Sequence, residues 1–321
     1  MLELMKGIQS IMEAHKAIKP GEKVLVIADN EGKSIWVAQH IMDVAGLMGA
    51  EAVLIIMNEV KIAGTEPPIA VAAAMKSVDA IFQVYERGGL THSNARKEAT
   101  AAGARWYILT DIPVEDLKQG VFIEDLQLIK ERTEKIAQML SEAKAARVTT
   151  PSGTNITFSL AGREGLAVSP MGQVIISLPY YAEAAIATVE GTAEGVVVAD
   201  LTIAGWRYLF QEPLRCTVKA GKVVEIAGSK PDADRLRRVV ATDENANNIA
   251  ELGIGTSHII PWGITGKRRD FARLGTVHIG IGRNNDIGGQ TWSRIHQDAL
   301  MSRITVELDN SLIFREGALL I

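Results

Sequence analysis

His296-Gln-Asp298 carries the sharpest chemical content in this sequence. Residues two apart on an extended segment point to the same face, so the imidazole and the carboxylate can approach one cation from one side. Imidazole nitrogen with carboxylate oxygen suits Fe(II), Zn, Mn or Co. A lone His-x-Asp triplet recurs by chance, so a metal role needs further ligands. His278 offers one, within Gly275-Thr-Val-His-Ile-Gly-Ile-Gly282, where apolar neighbours imply a buried strand and glycines clear space around the ring. It reads either as a ligand or as a satisfied core histidine. Glu251, in Asn248-Ile-Ala-Glu-Leu-Gly-Ile-Gly255, is a carboxylate in another apolar frame. Burying it is costly without a cation or hydrogen-bond partners, so ligation and pairing with an arginine such as Arg268 or Arg269 both fit.

Two residues lie outside this cluster. Glu183 is the only charge between Pro179 and Glu190, and its plain alternative is a surface strand end. His92, in Gly88-Gly-Leu-Thr-His-Ser93, follows the third predicted strand. It projects where α/β folds bind ligands, or it is a solvated residue at a helix entry. His258 falls in the same glycine-rich stretch as His278 and His296, while His15 and His40 belong to the first two helices. The single cysteine, Cys216, has no internal disulfide partner and reads as a packed thiol in a strand.

These residues need a scaffold, and apolar periodicity supplies its outline. A helix over 3–18 stops at Pro20-Gly21, and a buried strand follows at 23–28. Helices at 33–49, 68–77 and 93–102 then alternate with strands at 52–57, 79–84 and 105–109, the pattern of a doubly wound parallel α/β sheet. The first strand-to-helix turn, Asp29-Asn-Glu-Gly32, lacks the glycine spacing that brings a backbone against a pyrophosphate, so no dinucleotide cofactor is expected. A long amphipathic helix covers 123–146. After it the texture changes to hairpins at 147–158, turning at Pro151 to Gly153, and at 216–226, with a helix at 231–241. The expected organisation is an α/β Rossmann-like domain over 1–146 and a strand-rich α+β metal-binding domain over 147–321.

Composition agrees with a two-domain globular protein: 321 residues, 47% apolar and 22% charged. A net charge of -4 without a basic block argues against nucleic acid as a partner. No stretch reaches the roughly 18 apolar residues of a membrane span, and the N-terminus has no signal-peptide pattern. The expectation is a cytoplasmic protein with no membrane partner.

The Glu251, His278 and His296 motifs, together with Gly288-Gly289, resemble the metalloaminopeptidase family called aminopeptidase T, peptidase family M29, and the resemblance covers nearly the whole chain. Glu66-Pro-Pro68, Leu90-Thr-His92 and Ala95-Arg96 look more like shorter relatives that include 2,5-dihydroxypyridine 5,6-dioxygenases. The aminopeptidase resemblance implies a two-metal site of two glutamates, two histidines, an aspartate and a tyrosine. The first five fall on Glu183, Glu251, His278, His296 and Asp298, and the tyrosine position falls near Asn285. The dioxygenases are similar at His296 and Asp298 but carry histidine at the Glu251 position and lack counterparts of His278 and Glu183.

Three carboxylates and two histidines exceed the charge one mononuclear iron needs, which argues for two cations. The expectation is therefore a metallohydrolase with two divalent ions per chain, Zn, Co, Mn or Fe(II), activating water against an amide or related carbonyl of a small molecule or short peptide. Glu183 would be a ligand or the general base, and His92 would orient substrate or transfer a proton. The alternative is ring opening of a hydroxylated N-heterocycle by a dioxygenase with one Fe(II). A metal-free binding protein on the same fold is a third reading, and related proteins imply a homodimer or larger homo-oligomer.

Overall fold

The computed structural model describes residues 1–60, 65–91, 93–171, 175–260 and 263–321. The chain divides into two compact units, one of Met1–Lys130 with Ser169–Tyr181 and one of Glu131–Val168 with Ala182–Ile321. His92 lies outside the described residues.

The first unit begins with α1 (Leu2–Ala14) and then alternates β1 (Lys23–Asp29), α2 (Ser34–Leu47), β2 (Glu51–Met57), α3 (Ile69–Met75), β3 (Ala80–Tyr85), α4 (Asn94–Ala101) and β4 (Arg105–Thr110). Helix α5 (Val114–Gln119) follows, and α6 (Ile123–Glu142) belongs to the first unit up to Lys130 and to the second from Glu131. The apolar runs of β1 and β3 are buried along almost their whole length, as expected where helices cover both faces of a parallel sheet. Leu25, Ile27, Met75, Ile81 and Trp106 share its core.

The second unit contains β5 (Ala145–Thr149), β6 (Asn155–Ser159) and β7 (Leu166–Val168). The chain then returns to the first unit for β8 (Ile175–Ser177), which pairs in parallel with β4 and completes the sheet order β2-β1-β3-β4-β8. The expected single division near 146 is thus replaced by several crossings. The exposed edge of β4 takes a strand that lies far along the chain, and this satisfies backbone groups that would otherwise be left at the edge.

The remaining strands are β9 (Glu183–Ala187), β10 (Glu194–Ala199), β11 (Thr202–Ile203), β12 (Leu214–Lys219) and β13 (Lys222–Ala227). After α7 (Lys230–Val239) come β14 (Ile249–Gly255), β15 (Val277–Gly282) and β16 (His296–Met301), and then β17 (Thr305–Leu308), β18 (Ser311–Arg315) and β19 (Ala318–Leu319). They form two antiparallel sheets, ordered β13-β12-β10-β6-β5-β17-β18-β19 and β11-β16-β15-β14-β9-β7. Val148, Phe158 and Val197 of the first share one core with Ile186, Leu252, Ile254, Ile279 and Ile281 of the second, so one face of each sheet is committed to packing. Among the described residues no helix is long and apolar enough to cross a membrane.

Candidate metal centre

Strict alternation on four strands of the second sheet decides which side chains meet. Leu252, Ile254, Ile279, Ile281, Ile186, Ala299 and Met301 point into the shared core. Their neighbours in sequence must point the other way. On that opposite face the register aligns Ala187, Glu251, Gly280 and Asp298 in one row across β9, β14, β15 and β16. The next row holds Ala185, Gly253, His278 and Leu300, while Glu183 lies opposite Gly255 and His296 opposite Gly282. Glycine and alanine thus form a floor from which Glu183, Glu251, His278, His296 and Asp298 project. A one-residue slip of any strand would turn its member into the core.

The floor is small by necessity. A Cβ at Gly253 would lie 2.0 Å from His278 Nε2, and one at Gly280 would lie 2.7 Å from Glu251 Cβ and 3.1 Å from His296 Cε1. These glycines leave the volume that the rings and the carboxylate occupy.

His296 Nε2 is 2.9 Å from Glu251 Oε2 and 3.0 Å from Asp298 Oδ1. His278 Nε2 is 3.7 Å from both Glu251 Oε1 and Glu183 Oε2. Glu251 therefore turns one oxygen to each histidine. Sequence left Glu251 open between ligation and pairing with Arg268 or Arg269; its carboxylate faces the two histidines instead. Among the described residues, the donors of Glu251, His296 and Asp298 all lie within 4.8 Å of one another. Donors about 2.1 Å from a single ion stand roughly 3–4 Å apart, so these three fit a divalent cation. Asp298 Oδ1 is buried with His296 Nε2 3.0 Å away, which also fits an oxygen directed at a cation.

Electrostatics point the same way. Glu251 is 5% exposed and His278 2% exposed. Burial pushes the Glu251 carboxyl up, but hydrogen bonding and charge from His278 and His296 outweigh it and hold the group well below the usual carboxylate range. Burial pushes His278 down, yet Glu251, Asp298 and Glu183 raise it to about 9. His296 is likewise opposed by burial and raised well above its ordinary value, chiefly by Asp298. Without a cation, protons on the two imidazoles balance the carboxylates. A divalent ion can supply that charge in their place.

His296 Nδ1 is 2.7 Å from the Arg283 carbonyl, which can only accept, so Nδ1 keeps a proton, and Nε2, facing the carboxylates, is the nitrogen whose proton a cation would replace. Sequence reasoning missed this contact because a backbone carbonyl leaves no mark in residue identity. His258 stays apart from the cluster, with Nδ1 3.1 Å from Arg132 Nη1. His15 and His40 bond to the carbonyls of Pro179 and Trp36. Asn285 is exposed in a turn, and Cys216 is a buried free thiol.

A parallel α/β unit and a two-sheet unit, one sheet face of which gathers histidines and carboxylates, define the class: a fold of the aminopeptidase T type. AmpT of Thermus thermophilus is similar with a TM-score of 0.69 at 18% identity, covering 99% of both chains. The 2,5-dihydroxypyridine dioxygenase of Pseudomonas putida KT2440 is similar with a TM-score of 0.80 at 16% identity, covering 99% of this chain and 96% of that one. At these identities the likeness concerns the fold alone. No curated protein sequence matches the chain. The family model of 2,5-dihydroxypyridine 5,6-dioxygenase matches residues 4–321, and the chain belongs to that family.

Proposed function

We propose that this chain is a metal-dependent dioxygenase that opens the ring of a hydroxylated N-heterocycle, the alternative in the sequence reading rather than its first choice. The observation that carries this reading is the dioxygenase family match over residues 4–321, which includes the strands bearing the metal-competent cluster. His296, Asp298 and Glu251 would hold the ion, and His278 beside Glu251 brings the donor set to two histidines with carboxylate, which suits Fe(II). Fe(II) bound there would supply the redox chemistry by which dioxygen attacks an electron-rich ring.

The protein's own groups do the rest. The Arg283 carbonyl fixes the His296 tautomer. The floor of Gly253 and Gly280 makes the room in which the His278 and His296 rings and the Glu251 carboxylate converge. Glu183, whose Oε2 is 3.7 Å from His278 Nε2, would hold or pass a proton. His92, outside the described residues, would orient substrate or transfer a proton, as read from sequence.

One observation favours a second reading. Glu251 turns Oε1 to His278 and Oε2 to His296, so two half-sites, Glu183 with His278 and His296 with Asp298, share one carboxylate. A shared carboxylate is a feature of two-metal hydrolytic sites. The test is to count metal per chain and offer two substrates, 2,5-dihydroxypyridine with O2 and an amino-acid anilide without it. One iron with ring opening supports the dioxygenase. Two equivalents with anilide cleavage and no ring opening would replace it with the hydrolase.

A further inference from the structure

The connection from β15 to β16, residues 283–295, is held closed by polar groups that the cluster itself does not use. Asn284 is completely buried. Its side-chain oxygen accepts from the Thr291 N–H (2.8 Å), and its side-chain nitrogen donates to Glu190 Oε1 (2.9 Å). Glu190 Oε1 also accepts from the Gln290 N–H (2.8 Å), and Oε2 pairs with Arg163. Arg163 in turn donates to the Gly288 carbonyl (2.9 Å). Gly289 packs against this network, since a Cβ there would fall 2.1 Å from the Asn284 side chain. Burial pushes the Glu190 carboxyl up, but the Gln290 amide, Asn284 and Arg163 together hold it below its ordinary value.

The residue before Asn284 is Arg283, whose carbonyl accepts the His296 Nδ1–H. The Arg283 N–H donates to the Ile295 carbonyl (2.9 Å), so the two ends of the loop are tied beside His296. We propose that Glu190 is a positioning residue for His296, holding the Arg283 carbonyl, through Asn284, where it fixes Nδ1 as donor and leaves Nε2 free for a divalent cation. The inference rests on the metal reading of the cluster. It also gives Gly288-Gly289 a role: Gly289 leaves room for Asn284, and Gly288 offers the carbonyl that Arg163 takes.

Co(II) alone is the probe, titrated into the full metal-free chain and followed by its visible absorption. Glu190→Ala is expected to weaken Co(II) binding by about 10-fold to 100-fold, the range for residues that orient a ligand, and to alter the band shape. Glu190→Gln, which keeps an acceptor for Asn284 and Gln290, should recover most of the affinity. Gly289→Ala is the second variant should Glu190→Ala fail to fold. Its methyl group displaces Asn284 and should weaken Co(II) in the same way. Wild-type affinity and band shape in a folded Glu190→Ala, or in Gly289→Ala, would overturn the inference while leaving the metal reading intact. A wild-type chain that binds no Co(II) would overturn both.

Discussion

Gly253 stands opposite His278 across the β14–β15 ladder, and a methyl group at Gly253 would lie 2.0 Å from His278 Nε2. The imidazole occupies the space that the missing side chain leaves. Gly253→Ala should therefore expel or tilt the ring while the sheet stays paired, because the strand backbone suits alanine. The expected outcome is metal binding weakened by about 10-fold or more, read by chelator competition. Unchanged affinity would mean that His278 takes no part in holding the ion.

His296→Ala removes the residue whose Nε2 lies near both Glu251 and Asp298. Metal retention should fall by more than about 100-fold, beyond the loss expected for a residue that merely orients a ligand. Far-UV circular dichroism should be unchanged. Full metal content in this variant would reject the site.

The proton inventory gives a pH prediction. Burial opposes charge on His278, but Glu251, Asp298 and Glu183 raise its folded value from 6.5 to about 9. A raised histidine contributes stability that is fully present below 6.5 and is lost as pH climbs through about 9. The metal-free chain should therefore lose this contribution between pH 6.5 and about 9, seen as a falling Tm. A bound metal needs both imidazoles neutral, so metal affinity should rise over the same window. At pH 7 binding should release about two protons, measured calorimetrically in buffers of different ionisation heat. Binding without proton release would contradict the charge balance described for the metal-free chain.

Glu251→His replaces the shared carboxylate with the residue that the dioxygenase resemblance places there. It should hold one metal per chain and keep or gain oxygen uptake. If the wild-type chain holds two metals, retention of both in this variant would mean that Glu251 binds neither.

His92→Ala should leave metal content unchanged and lower kcat/KM by about 100-fold or more if His92 transfers a proton. A rise in KM alone would mark a binding role. Wild-type kinetics would return His92 to a solvated helix entry.

Much of the site was legible because alternation exposes it. Glu251-Leu-Gly-Ile-Gly255 and His278-Ile-Gly-Ile-Gly282 place apolar residues on one face and small ones beside a single polar group on the other, and two-residue spacing put His296 with Asp298. The helices and strands of the first unit were legible for a different reason, as helical apolar periodicity alternating with continuous apolar runs. What sequence could not show depends on distant pairing. The three residues of β8 reach β4 across more than sixty positions. Glu190 meets Asn284 across 94. The Arg283 carbonyl has no side-chain signature, and the choice of histidines over Arg268 or Arg269 as partners of Glu251 is made by strand register alone.

Oxygen uptake at an electrode, with the chain loaded anaerobically with Fe(II) and then given 2,5-dihydroxypyridine, tests the proposed chemistry most directly. A dioxygenase places both oxygen atoms in the opened product, so one O2 should disappear per ring lost, with no uptake by His296→Ala. An intact ring and no oxygen uptake by a fully iron-loaded wild-type chain would contradict the dioxygenase reading.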